Sequence, residues 1–162
     1  MQWIELSQMA ALGNVLLAMA LGAVIGWERE LLDKPAGFRT HILVAGAAAL
    51  FVIIGDILVA VQVADEDAIR TDPVRIVEAV ITGVSFLGAG TIIQLRQRGR
   101  VEGLTTGASL LFVAAVGICV AIHQYVVAAG ATLLVLFVLH GGRLLEQRHV
   151  QRGDSGEREE RE

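Results

Sequence analysis

The chain has 162 residues, 54% of them hydrophobic, and a mean hydropathy of +0.62. The apolar residues form long uninterrupted blocks, which excludes an ordinary soluble domain and indicates a polytopic α-helical membrane protein. The formal net charge of −4 resides mainly in loops and the tail, so nothing indicates a nucleic-acid partner. A single cysteine, Cys119, excludes an intrachain disulfide and a cysteine-based metal site. We expect no cofactor and no bound metal.

Five apolar segments approach the roughly 20 residues that a helix needs to cross about 30 Å of hydrocarbon. The fourth and fifth lie in a stretch from Gly103 to Gly142 without formal charge and turn near His123, so we predict a close hairpin. The predicted all-α bundle, residues 1–142, has transmembrane spans at residues 6–27, 41–64, 74–95, 104–122 and 125–142. Residues 143–162 form a charged tail without an apolar pattern, which we expect to be disordered.

Lysine and arginine residues are distributed unevenly between the two ends of the spans. Eleven of the thirteen lie in the first loop, the third loop and the tail, and only Arg70 and Arg75 lie on the opposite side. Since cytoplasmic loops are enriched in Lys and Arg, we predict that the N-terminus is outside and the C-terminus is cytoplasmic.

Small residues punctuate two of the spans. Gly22 and Gly26 form a GxxxG pair in the first span, and Gly83, Gly88 and Gly90 interrupt the third. Each glycine costs about 1 kcal/mol relative to alanine in a soluble helix, but in a membrane small side chains let helix backbones approach closely. We therefore predict that the third span is the central helix of the bundle. We also predict that the chain self-associates through small-residue faces such as Gly22/Gly26.

Polar side chains inside the spans are few. Asn14 is expected to form a hydrogen bond between helices, and a ligand contact is the alternative. Asp56 and Glu78 lie in the outer half of adjacent antiparallel spans, and a charge in hydrocarbon costs roughly 2.5–3.5 kcal/mol on insertion scales. One interpretation is an acidic outer cavity that attracts a hydrated cation or relays protons; the alternative is local pairing of Glu78 with Arg75. The residues of this candidate cation pathway are Asp56, Glu78, Thr82 and Ser85.

Five segments resemble motifs of the bacterial MgtC/SapB family, in the family's order and spacing. They are residues 22–30 (GAVIGWERE), 34–41 (KPAGFRTH), 72–75 (DPVR), 82–90 (TGVSFLGAG) and 103–106 (GLTT). The resemblance implies an inner-membrane protein linked to magnesium limitation, acid stress and, in pathogens, survival inside host cells. Ser85 replaces a glycine of the family pattern. Longer members carry a soluble C-terminal domain, which we expect this chain to lack.

The first motifs place several charged and polar groups at the cytoplasmic boundary. The resemblance favours a charge network that holds the first loop beneath the bundle, whereas interfacial charges in general can simply anchor helices. The residues of this network are Glu28, Arg29, Arg39, Thr40 and His41, together with Asp72 and Arg75 on the outer side. For Asp72 and Arg75 we predict a helix-start cap and an ion pair.

The fourth span begins at the GLTT motif, just after a loop with three arginines. Thr105 or Thr106 is expected to cap the helix, because helix starts favour such residues. Free N–H groups there also favour anions, so a phosphate or lipid-headgroup site is the alternative. The sequence contains no nucleotide-binding or nucleophile motif.

These observations lead to a functional prediction. We expect a non-enzymatic, multi-pass inner-membrane protein that acts in magnesium homeostasis and adaptation to low magnesium or acid stress, by packing against another membrane complex. The alternative is a small transporter or channel for Mg²⁺ or H⁺ that uses the intramembrane carboxylates. The expected partners are the lipid bilayer, further copies of the chain and that membrane complex.

Overall fold

The computed structural model of the chain describes residues 2–62, 72–95 and 103–141. Within these ranges the secondary structure is entirely α-helical, with five helices and no strands. The helices are α1 (Gln2–Leu31), α2 (Phe38–Gln62), α3 (Pro73–Leu95), α4 (Leu104–Ala121) and α5 (Tyr125–Gly141). Three segments lie outside the described residues: the segment with Arg70, the loop with three arginines at 96–100 and the tail at 143–162.

The helices confirm the predicted all-α, five-helix membrane bundle. By length and composition α1 to α4 are long and apolar enough to cross a membrane, and α5 is apolar but shorter. The sequence places the helices within a few residues of their observed bounds, although α1 continues to Leu31 and α2 already begins at Phe38. The orientation of the two termini stays a prediction.

The predicted hairpin between α4 and α5 is confirmed. The helices are separated by three residues, and His123 adopts a left-handed backbone conformation with φ of 63°. The Gln124 N–H donates to the Cys119 carbonyl at 2.8 Å, and the His123 N–H donates to Val120 at 3.0 Å. These bonds satisfy carbonyls that a helix end otherwise leaves unpaired.

Helices α1 and α2 pack closely at two glycines of α1. A Cβ atom added to Gly22 would lie 2.7 Å from the His41 carbonyl oxygen, and one added to Gly26 would lie 2.8 Å from the Phe38 Cα. The absence of side chains at the two glycines therefore allows α2 to approach α1. Within the chain the GxxxG face is filled by α2. Self-association of the chain stays a prediction.

The centre of the bundle is α4, and the prediction that α3 is central is wrong for the single chain. Half of the α4 span is buried, compared with 11% of the α3 span. α4 contacts α1, α2 and α3, whereas α3 contacts only α2 and α4 among the first four helices. The buried core includes Ile25, Leu110, Val113, Val116 and Val120.

Candidate functional site

A buried polar cluster lies where α1 ends and where α2 and α4 begin. Its middle is His41, which is fully buried. His41 Nδ1 lies 2.9 Å from the Gly37 carbonyl oxygen, and Nε2 lies 3.0 Å from Ser109 Oγ on α4. A carbonyl only accepts, so Nδ1 carries a proton and donates it. His41 thus joins the first loop to the central helix.

Ser109 has two acceptors within reach but only one proton. Its hydroxyl oxygen is 2.8 Å from the Thr106 carbonyl oxygen as well as 3.0 Å from His41 Nε2. With a neutral His41 the hydroxyl donates to Nε2; with a protonated imidazole it accepts from Nε2 and donates to Thr106. Both arrangements satisfy the buried imidazole.

Glu28 and Arg29 form an incomplete ion pair beside His41. Arg29 is 3% exposed, and its Nη1 lies 3.8 Å from Glu28 Oε2, which is too far for a hydrogen bond. Among the described residues, Arg29 Nε and Nη2 and both Glu28 carboxylate oxygens have no hydrogen-bond partner although they are buried. Such groups are costly in a low-dielectric interior. The pair is therefore an electrostatically strained part of the cluster.

The first loop is held mainly by a residue that the sequence did not single out. Glu30 Oε2 accepts the Phe38 N–H at 2.8 Å at the start of α2, and the Lys34 N–H donates to the Arg29 carbonyl at 3.1 Å. The Trp27 and Phe38 rings pack edge to face, with centroids 5.8 Å apart. Glu30 is the last residue of the motif segment 22–30. Its carboxylate near the start of the next helix is the sequence feature that could have identified it as a capping residue.

The predicted charge network is therefore assembled in part. Glu28, Arg29 and His41 come together, but Arg39 is exposed and Thr40 is half-buried. Within the described residues neither Arg39 nor Thr40 has a polar side-chain partner. Ser109 was missed because only the fold brings it to His41, 68 residues away along the chain.

The start of α4 differs from the prediction that Thr105 or Thr106 caps the helix. The N-cap residue is Gly103, with φ of 91° and no side-chain cap. A left-handed backbone of this kind suits glycine, which has no Cβ to clash. Thr105 is exposed, and Thr106 is buried inside the first turn. The anion-site alternative for these two threonines stays a prediction.

A polar stripe runs along α3 on the side that faces away from the other described helices. It consists of Glu78, Thr82 and Ser85, which share one side of a helix that turns about 100° per residue. All three are exposed. The Thr82 hydroxyl donates to the Glu78 carbonyl at 2.8 Å. We call these three residues the α3 polar stripe.

An apolar groove of about 1220 Å³ separates α2 from α3. One wall includes Val44, Phe51 and Leu58, the other includes Val80 and Leu87, and Asp72 and Arg75 lie at one end. We call it the α2/α3 groove. Neither Asp56 nor Glu78 lines it, and both are exposed. Among the described residues, the two carboxylates therefore do not share this groove.

The DPVR segment begins α3 with one of its two predicted interactions. Asp72 Oδ1 accepts the Val74 N–H at 2.9 Å, so the predicted helix-start cap is confirmed. The predicted ion pair with Arg75 is not formed, and Glu78 does not pair with Arg75 either. Among the described residues, the only ion pair within 4.0 Å is Arg29–Glu28.

The glycines of α3 differ in what surrounds them. Gly88 packs against Gly107 of α4, where an added Cβ would lie 3.2 Å from the Gly107 Cα. Among the described residues, no heavy atom lies within 4 Å of a Cβ added to Gly83 or Gly90. The predicted packing role thus holds for Gly88, while Gly83 and Gly90 are open within the chain.

The apolar helices and their buried polar ends define the class as a polytopic helical membrane protein. The profile of the MgtC family matches residues 15–148. The chain belongs to the MgtC family, as the motif resemblance predicts.

Curated relatives cover most of this chain. It is 41% identical over 129 residues to the putative magnesium transporter YhiD of Escherichia coli K12. The matched region covers 78% of this chain and 58% of the relative. It is 37% identical over 123 residues to protein MgtC of Salmonella typhimurium, spanning 76% of this chain and 48% of that relative. The chain therefore spans about half the length of these relatives. No solved structure matches it.

Proposed function

We propose that this protein is a non-enzymatic inner-membrane protein that acts in magnesium homeostasis and in adaptation to low magnesium or acid stress. It would act by packing against another membrane complex and altering its activity. The magnesium assignment follows the name of the Escherichia coli relative, a putative magnesium transporter. The structural observation that supports a packing role is the α3 polar stripe.

The α3 polar stripe is poorly suited to contact with lipid. Glu78, Thr82 and Ser85 are exposed on a helix that is apolar enough to span a membrane. A carboxylate facing hydrocarbon costs roughly 2.5–3.5 kcal/mol on insertion scales unless a partner or water reaches it. A helix from another membrane protein would supply polar groups and exclude lipid. The stripe is therefore the surface on which we place the partner complex.

The geometry favours this role over a cation conduit within one chain. The carboxylates of Asp56 and Glu78 do not face a common cavity, and the α2/α3 groove is lined mainly by apolar side chains. Cations in membrane proteins follow paths with polar or charged linings. Transport would therefore require a pathway formed between chains, with the α3 polar stripe as one wall.

Site-specific photo-crosslinking tests the proposed surface in cells. A photoreactive amino acid placed at Ser85 is expected to form an adduct with one partner subunit, because this side chain points away from the bundle. The matched control is the same group at Leu134 of α5, which is 65% exposed but lies on an apolar face. Equal adduct yields at the two positions would contradict a specific docking surface.

Growth and flux measurements test the functional assignment. The triple variant Glu78→Gln/Thr82→Ala/Ser85→Ala should lose the ability to restore growth of a deletion strain in low magnesium while inserting into the membrane normally. Purified protein in dye-loaded vesicles should give no Mg²⁺ or H⁺ flux. Flux that disappears in the triple variant would instead establish transport and overturn the proposal.

A further inference from the structure

The α2/α3 groove combines an apolar interior with a polar end. Its volume of about 1220 Å³ exceeds the roughly 300–1,000 Å³ of sites for drug-sized ligands. From Val44 to Leu58 the wall rises about 21 Å at about 1.5 Å per residue. One leaflet of a bilayer contributes roughly 15 Å of hydrocarbon, half of the total thickness. The groove is thus long enough for a lipid chain that enters from one leaflet.

The polar end presents one cationic and one anionic group. Arg75 is exposed and has no carboxylate within 4.0 Å among the described residues. Asp72 uses Oδ1 to accept the Val74 N–H at 2.9 Å, which leaves Oδ2 available. The Arg75 N–H donates to the Asp72 carbonyl, so the two residues lie within one turn. Residues three apart on a helix have Cβ atoms about 5–6 Å from each other.

The charges of Arg75 and Asp72 determine which headgroup chemistry a molecule in the groove must have to pair with both. A guanidinium binds phosphate oxygens through two parallel hydrogen bonds, and a free carboxylate oxygen accepts from a primary ammonium group. A helix of a second copy such as α5 carries no acidic residue between Tyr125 and Gly141 to pair with Arg75. A ligand with an apolar chain, a phosphate and an ammonium complements the whole groove.

We propose that the α2/α3 groove is a binding site for a phospholipid with a primary-amine headgroup, such as phosphatidylethanolamine. The acyl chain lies between α2 and α3, the phosphate accepts from Arg75, and the ammonium donates to Asp72. The apolar wall of the groove at Val80 and Leu87 lies on the opposite side of α3 from the α3 polar stripe, and Arg75 lies one turn before Glu78 of the stripe. It does not rest on the proposed function.

Quenching of a tryptophan by chain-brominated lipids tests the site directly. The background protein carries Trp3→Phe and Trp27→Phe. One reporter is Phe51→Trp, which lines the groove, and the matched reporter is Phe137→Trp on the exposed face of α5. Both are reconstituted in phosphatidylcholine bilayers with increasing fractions of brominated phosphatidylethanolamine. We expect half-maximal quenching of the groove reporter at about a fivefold lower fraction of brominated lipid than for the α5 reporter.

Substitutions at the polar end of the groove distinguish recognition of the lipid headgroup from simple contact with the bilayer. Arg75→Gln should abolish the difference between the two reporters. Asp72→Asn retains a good helix cap but should lose the preference for brominated phosphatidylethanolamine over brominated phosphatidylcholine. Arg39→Gln, an exposed arginine at the other end of α2, should change neither. All three positions are exposed, so the variants are expected to fold.

Three results would overturn the proposal. The first is identical quenching curves for the two reporters. The second is a groove reporter that responds equally to brominated phosphatidylethanolamine, phosphatidylcholine and phosphatidylglycerol. The third is a groove reporter that no brominated lipid quenches, which would mean that protein, such as a second copy of the chain, fills the groove. None of these measurements depends on growth in low magnesium.

Discussion

The α1–α2 contact and the α3 helix use glycine in opposite ways. At Gly22 and Gly26 an added Cβ would collide with the backbone of α2, whereas at Gly83 and Gly90 it would meet nothing. The first pair closes a contact beside a fully buried His41 and a nearly buried Arg29. The second pair lies on the least buried of the four long helices. Small residues therefore mark a completed interface in one region and open space in the other.

The two regions should therefore respond differently to substitution: one through the stability of the fold and the other through contacts with other molecules. Substitutions in the α1–α2 region should act on folding, because the contacts there are made within the chain. Substitutions on the outer side of α3 should leave the fold intact and act on whatever contacts that helix in the membrane. Three measurements test this distinction.

The largest expected effect is at the incomplete ion pair. Glu28→Leu leaves Arg29 as a buried charge without its carboxylate, and should lower the free energy of unfolding by about 3–5 kcal/mol. The double variant Glu28→Leu/Arg29→Met removes both charges and should recover most of this loss. SDS titration in mixed micelles measures both. A double variant as unstable as the single one would show that the charges stabilise the fold as a pair.

A smaller effect is expected from filling the glycine positions. Gly22→Leu forces a side chain against the His41 backbone and should cost about 1–3 kcal/mol. Gly83→Leu places its side chain in the open α2/α3 groove and should change the free energy of unfolding by no more than about 0.5 kcal/mol. The same titration compares the two variants. Equal destabilisation would show that α3 is covered in the folded protein, which would restore the central position predicted from the sequence.

The smallest of the three effects is expected from Ser109→Ala, which removes one hydrogen bond between α2 and α4. His41→Ala leaves the Gly37 carbonyl and Ser109 hydroxyl without this partner and should cost about 1–3 kcal/mol, and Ser109→Ala about 1 kcal/mol. Thr105→Ala, at an exposed position on α4, is the control and should have no effect. If Ser109→Ala is additive with His41→Ala in a double-mutant cycle, the hydrogen bond between them contributes nothing.

Much of the helical framework could be predicted from the sequence. Hydropathy and length located all five helices, because a bilayer requires about 20 apolar residues for each crossing. The absence of charge around His123 predicted the α4–α5 hairpin. Asn14 also forms the expected bond between helices, since its Oδ1 accepts the Tyr125 hydroxyl at 3.0 Å. Each of these features depends on local composition or on a single strongly polar group.

The candidate site was predictable only in part. The charged residues near His41 were identified from their motif, but Arg39 lies on the surface and Ser109 completes the cluster instead. The angle at which each helix faces its neighbours decides between these outcomes. Arg39 and His41 are two residues apart, so they point to different sides of α2.

Sequence information alone predicts the class of protein, the approximate helix bounds, the family and the small-residue faces. These features depend on the hydrophobicity, length and residue spacing of individual helices. Each can be read from the sequence of one segment. The packing of the five helices determines that α4 is central, that α2 fills the Gly22/Gly26 face, and that neither Asp56 nor Glu78 lines the α2/α3 groove. Small or polar residues on a helix face limit which side chains can pack against that face. The packing of all five helices then determines which helix occupies it.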